Sequence, residues 1–181
     1  MAKIIVPISN GFEEIEAVSI IDICRRAQIE VCVAAVESLE TKGANGIKIV
    51  ADYMIEEVNA NDFDMIVLPG GLPNAFTLAE NEKVQELLKT MKKDDKYVAA
   101  ICAAPYALHT ADVLNTNYTC YPSFEQKIRD EGYTSTQDVV EDGKVITSRG
   151  PGTATTFALK LVETLCGNET YENVKNGLLA K

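Results

Sequence analysis

Tyr97-Val98-Ala99-Ala100-Ile101-Cys102-Ala103-Ala104-Pro105 is an apolar run of strand length that breaks, at a cysteine, into small residues and a proline. Proline suits the first turn of a helix, where its missing N–H would be unpaired anyway. The stretch therefore predicts a buried strand over 97–101, a sharp corner at Cys102 and a helix beyond it. A strand with no alternating polar face is covered on both sides, as in a parallel sheet flanked by helices.

Toward the N-terminus, Asp64-Met65-Ile66-Val67-Leu68 is a second such run, closed by Pro69-Gly70-Gly71. Lys3-Ile4-Ile5-Val6-Pro7-Ile8 is a third, closed by Ser9-Asn10-Gly11. Glu30 to Val36 is rich in β-branched residues and reads as a strand, and Gly46 to Ala51 as a weaker one. Helical stretches follow at Glu13 to Ala27 and at Glu80 to Lys93, the latter with Val84, Leu87, Leu88 and Met91 on one stripe. Toward the C-terminus, Tyr118 to Tyr121 reads as a short strand, and Val139 to Ser148 as a hairpin that turns at Asp142-Gly143. Gly152 to Leu165 and about Tyr171 to Leu179 read as helices. The alternation predicts one doubly wound α/β domain over 1–181, with an antiparallel piece. Ligands in such sheets sit beyond the carboxyl ends of the strands, where Ser9 to Phe12, Pro69 to Pro73 and Ile101 to Pro105 would meet.

The 181 residues are 46% hydrophobic and 24% charged, a globular profile. Lys plus Arg number 17 against 27 Asp plus Glu, a formal charge of −10, which argues against a partner nucleic acid or anionic membrane. No apolar run approaches the ~20 residues of a spanning helix, and neither terminus carries a secretory or prenylation signal. A cytoplasmic address is expected. The five cysteines are odd in number and widely spaced, and His109 is the single histidine. Neither a disulfide framework nor a metal site is expected from them.

Cys102, pushed out of a strand end between small neighbours, has the setting of a nucleophile elbow. The positive end of the following helix favours thiolate, so the thiol is expected to ionise more easily than usual. The alternative is a buried cysteine acting as a small hydrophobe. Glu16 tips the balance. On a helical wheel Ile20 falls about 40° from it and Ile23 about 20°, while Ser19, Asp22, Arg25 and Arg26 lie on the opposite arc. A carboxylate inside an apolar stripe is costly unless it is protonated or paired, and burial raises its pKa. An acid held neutral near pH 7 can donate a hydrogen bond to a thiolate or move a proton for a substrate. Gly70 and Gly71 let backbone N–H groups approach a ligand, which suits an oxyanion pocket. Arg149, in Ser148-Arg149-Gly150-Pro151-Gly152-Thr153, belongs to the same edge. His109 is seven residues past Cys102, roughly 10 Å along a helix, too far to act as its base.

Phe12-Glu13-Glu14-Ile15-Glu16, Leu68-Pro69-Gly70-Gly71, Ala99 to Pro105 and Thr147 to Thr153 together resemble, in order and spacing, the motifs of the ThiJ/PfpI superfamily. Within it the chain is most similar to the Parkinsonism-associated deglycase (DJ-one) subfamily. The resemblance implies a flavodoxin-like three-layer sandwich and a homodimer packed through the first helix. It implies that Cys102 is the reactive, oxidation-sensitive cysteine and Glu16 the protonated acid beside it. Gly71 and Ala103 are then the amides facing an oxyanion or an oxidised sulfur, and Arg26 an interface arginine near the pocket. The activity implied is a cofactor-independent glyoxalase or protein deglycase acting on α-oxoaldehydes such as methylglyoxal. A redox-sensing or chaperone-like protein, with Cys102 oxidised to sulfinate, is the alternative. Two departures stand out. Tyr121 occupies a position where the subfamily often has histidine, and Asn45 one where some members have an arginine. Ala103, where the protease-like branch has histidine, disfavours a peptidase.

Overall fold

The computed structural model describes residues 1–181. Its central sheet has seven strands in the order β5-β2-β1-β6-β7-β9-β8: β1 (Lys3–Ile8), β2 (Glu30–Ala35), β5 (Tyr53–Met54), β6 (Met65–Leu68), β7 (Tyr97–Ile101), β8 (Val139–Asp142) and β9 (Val145–Ser148). All neighbours are parallel except β8, which returns on β9 through the expected Asp-Gly turn. Side chains alternate between the faces, as strand geometry requires. Ile4, Val6 and Ile8 of β1, with Val67 and Ala99, meet α1 (Glu14–Arg26) and α6 (Ala154–Cys166), and α7 (Asn168–Gly177) packs outside them. Ile5, Ile66, Leu68, Val98 and Ala100 meet α2 (Asn74–Glu80), α3 (Glu82–Lys93) and α4 (Pro105–Thr110) on the other face. The result is the three-layer, flavodoxin-like sandwich.

Three local expectations change. The helix expected over 80–93 is α3 and starts at Glu82, and Glu80 instead ends α2, a helix not expected, because Asn81 breaks off α2 with an extended backbone and caps α3 by accepting from Val84 N at 3.0 Å. The weak strand at 46–51 is β4 (Lys48–Val50), which leaves the main sheet and pairs antiparallel with β3 (Glu40–Lys42) as a two-stranded ribbon. Residues 118–121 form no strand, since their backbone bonds are shared among separate partners. Tyr118 N donates to Gly132 O, Thr119 N to Thr147 Oγ1 and Tyr121 N to Cys102 O. A short helix, α5 (Glu125–Ile128), follows.

The ribbon is tied to α1 by Glu14, which accepts from Asn45 N at 2.6 Å, Asn45 Nδ2 at 2.9 Å and Ile47 N at 3.3 Å. Burial pushes this carboxyl up, but those donors outweigh it and hold Glu14 below the ordinary carboxylate range. Asn45 is thus committed to the ribbon and to Glu14.

Candidate active site at the carboxyl edge of the sheet

Strand β7 ends at Ile101, and Cys102 turns the chain with φ of 67°, the left-handed region that a side chain other than glycine's seldom adopts. Two bonds hold it there. Cys102 N donates to Ser148 O at 2.9 Å, and Cys102 O accepts from Tyr121 N at 2.7 Å. Strain maintained in this way places the side chain above the sheet edge, with 8% of the residue exposed. The amides of Gly71 and Ala103 face the sulfur.

Glu16 reaches the same point from the first turn of α1. Glu13 caps that helix, its carboxylate accepting from Glu16 N at 2.8 Å. The Glu16 side chain has no exposure to water. Its Oε2 accepts from Gly70 N at 2.7 Å, while its Oε1 is buried with no hydrogen-bond partner, and the carboxyl lies near enough to the Cys102 thiol for each to shift the other's titration. Gly70 is glycine for want of space: a Cβ there would lie 2.6 Å from Cys102 Cβ and 2.8 Å from Glu16 Oε2. A Gly70→Ala protein is therefore expected to lose about 1–3 kcal/mol of stability and to alkylate Cys102 more slowly, as denaturation and timed iodoacetamide labelling would report. At Gly71, φ of 90° adds a conformational need for glycine, and a Cβ would strike Gly11 O at 2.3 Å.

The electrostatics correct one expectation. Desolvation pushes Glu16 up to about 7, the Gly70 hydrogen bond and the neighbouring Cys102 thiol only partly opposing it. The Cys102 thiol also moves up, not down. Burial is the largest cause, a charged Glu16 beside it adds to this, and the Gly71 and Ala103 amides pull the other way. Helix α4 has six residues, too short for its dipole to offset burial of the sulfur. The two groups form a pair that resists carrying two negative charges and retains one proton between them. As pH rises through about 7, Glu16 gives up its proton while the sulfur keeps its own.

Cys102, Glu16, Gly70, Gly71 and Ala103 are thus brought together. Tyr121, bonded through its N–H to Cys102 O, and Arg149, next to Ser148, line a cleft of about 200 Å³ with Pro122, Asp138 and Gly150 to Thr153, and none of those five residues lines it. The Tyr121 ring packs on Gly150, and the Arg149 guanidinium is turned to Ser135 O and the Tyr133 side chain. Arg26 is not at this pocket. It is exposed at the far end of α1, about 15 Å along the helix from Glu16, paired with Asp22 at 2.7 Å. The ten residues between them carry it to the opposite edge of the sheet. His109 is exposed on α4. Sequence reasoning missed Asn74, which is fully buried behind the Gly70-Gly71 loop. Its place beside a proline at a helix start reads as a surface cap, and only the fold turns it inward.

Cys24, Cys32 and Cys120 fit the bland reading of a buried small hydrophobe, and Cys166 is half-buried at the end of α6. Cys24 is fully buried, and burial pushes its thiol up to about 12. Among the residues no cluster of three or more His, Cys, Asp or Glu is arranged to hold a metal ion. No helix is long and apolar enough to cross a membrane.

Comparison with known proteins extends this geometry to a family. Residues 2–164 match the model of the DJ-1/PfpI family. The glutathione-independent glyoxalase DJR-1.2 of Caenorhabditis elegans is 40% identical over 182 residues, covering 99% of this chain and 97% of that protein. The crystal structure of Drosophila melanogaster DJ-1beta superposes with a TM-score of 0.95 at 38% identity, covering 99% of this chain and 98% of that one. The oxidized Toxoplasma gondii DJ-1 gives 0.94 at 37%, covering 99% of each chain. Against the DJ-1 homologs B and A of Arabidopsis thaliana, 38% identical over 99% and 98% of this chain, it spans less than half of their length, 42% and 46%. The matched region contains the first-helix acid, the glycine loop and the strained cysteine alike, and by that extended match the chain belongs to the DJ-1/PfpI family.

Proposed function

We propose that the protein is a cofactor-independent glyoxalase and protein deglycase acting on small α-oxoaldehydes, free or as adducts on protein. The observation that carries this reading is the Cys102–Glu16 pair, a thiol at a strained corner and a fully buried carboxyl set together beside the Gly70, Gly71 and Ala103 amides. As Cys102 Sγ attacks the aldehyde carbon of methylglyoxal, the thiol proton passes to Glu16 and a hemithioacetal forms. Amides of Gly71 and Ala103 face the developing oxyanion. A proton then leaves the former aldehyde carbon and returns to the neighbouring carbon, with Glu16 as relay, giving a thioester of the 2-hydroxy acid. Water cleaves the thioester to lactate and restores the thiol. The name of the nematode relative supports the substrate class. Purified protein with methylglyoxal and no glutathione should produce lactate in proportion to enzyme, and no lactate above the buffer rate would reject the reading.

A redox-responsive role is favoured by one feature, the amide cradle, which would equally receive the oxygens of a cysteine sulfinate. Mass spectrometry after mild peroxide, showing two oxygens added at Cys102 without lactate formation, would select it.

The proposed working unit is a cytoplasmic homodimer packed through α1. Ile15 is 57% and Val18 46% exposed on that helix, and on the ribbon held to it by Glu14, Ile47 is 57% and Val50 72% exposed. Four large apolar side chains on adjoining surfaces form the kind of patch that a second copy covers. Val18→Glu is expected to shift the sedimentation mass from twice the chain mass to a single chain. A protein that sediments as one chain before mutation would reject the dimer.

A further inference from the structure

The Asn74 carboxamide makes four hydrogen bonds with no exposure to water. Its Oδ1 accepts from Ser9 N at 2.8 Å and Ser9 Oγ at 3.0 Å, and its Nδ2 donates to Pro69 O and Gly70 O, both at 2.9 Å. The amide orientation is set by its partners, because Ser9 N–H can only donate and the two carbonyls can only accept. Those carbonyls belong to two successive peptide units. The Pro69–Gly70 unit donates its N–H to Glu16 Oε2 at 2.7 Å, and the N–H of the Gly70–Gly71 unit faces Cys102 Sγ. Glu13 N also donates to Gly70 O at 3.0 Å.

We infer that Asn74 is a positioning residue for the acid–thiol pair: one side chain grips the carbonyl ends of both peptide units whose N–H ends face Glu16 and Cys102. A peptide unit is planar, so fixing its C=O direction fixes its N–H direction. A hydrogen bond accepted at the carbonyl also polarises the N–H across the same unit, strengthening what it donates. Asn74 touches neither the acid nor the sulfur, and it acts through the backbone between them. Ser9, at the end of β1, anchors the carboxamide to the sheet, so the donors are set by the strand framework rather than by a free loop. The inference deepens the proposed function by naming what holds its oxyanion amides.

The pH dependence of Cys102 alkylation by iodoacetamide tests it in Asn74→Ala and the milder Asn74→Ser. Both are neutral replacements that remove the two donors. With the Gly70 N–H less firmly aimed, the Glu16 inflection near 7 should move upward by about one pH unit, and alkylation at neutral pH should slow roughly tenfold. Ser9→Ala, which removes one bond on the far side of the carboxamide, serves as the control. It should lower the denaturation midpoint and leave the inflection in place. An unchanged inflection in the Asn74 variants, or an equal movement in Ser9→Ala, would overturn the inference. In the unmutated protein, the Asn74 side-chain amide resonances should titrate together with the Gly70 amide, and amide protons indifferent to that titration would overturn it independently. Alkylation is read without any oxoaldehyde, so a protein that makes no lactate but shows the shift would reject the proposed activity and leave Asn74's role intact.

Discussion

Replacing Cys102 by Ser lowers lactate formation from methylglyoxal by on the order of a thousandfold or more, because the nucleophile itself is lost. Serine is close in size and can occupy the corner at φ of 67° on the same two backbone bonds, so its melting temperature stays near that of the unmutated protein. The chemistry does not carry over. In the same buried corner a thiol gives up its proton more readily than an alcohol, and sulfur is the stronger nucleophile. A timed lactate assay beside a thermal melt separates the two effects. Full activity in the Ser protein would remove Cys102 from the mechanism and leave only the architecture.

Glu16→Gln has the second-largest expected effect, a loss of about a hundredfold in lactate formation, the scale of a missing general base. It also removes a titration. The carboxyl goes from 4.5 in the unfolded chain to about 7 in the folded one, so the folded state binds this proton more tightly. Its contribution to stability is complete below pH 4.5 and is lost as pH rises through 7. Over that window the loss amounts to roughly 3 kcal/mol. Glutamine does not titrate, so the Glu16→Gln protein should gain on the unmutated one as pH rises and be the more resistant to urea at pH 8. Its Cys102 alkylation should lose the inflection near 7 and follow a single thiol titration. Equal urea midpoints for the two proteins at every pH would show that Glu16 is not desolvated in solution.

Legibility along the chain followed the range of the forces involved. Strands such as Met65–Leu68 and Tyr97–Ile101 announce themselves because both faces must be apolar, a demand written into consecutive residues. The hairpin Val139–Ser148 is equally local, since Asp142-Gly143 supplies the backbone its turn requires. Residues 118–121 misled for the opposite reason. Tyr118 and Cys120 are fully buried, but the segment's N–H groups are met one by one by Gly132, Thr147 and Cys102, partners up to 28 residues away. Gly46 to Ala51 has strand composition, yet nothing local says whether it joins the main sheet or leaves it as a ribbon.

The same division runs through the site. From sequence alone came the doubly wound sheet, the elbow at Cys102, the misplaced acid Glu16 and the glycines at Gly70 and Gly71. Each is a local violation of pattern: a cysteine at a strand corner, a carboxylate in an apolar stripe, glycines where a side chain would be ordinary. Tertiary structure alone decided the direction in which the thiol titrates and the inward turn of Asn74. Those depend on which groups from distant strands exclude water from one another, and desolvation is a property of the assembled interior that no spacing along a chain encodes.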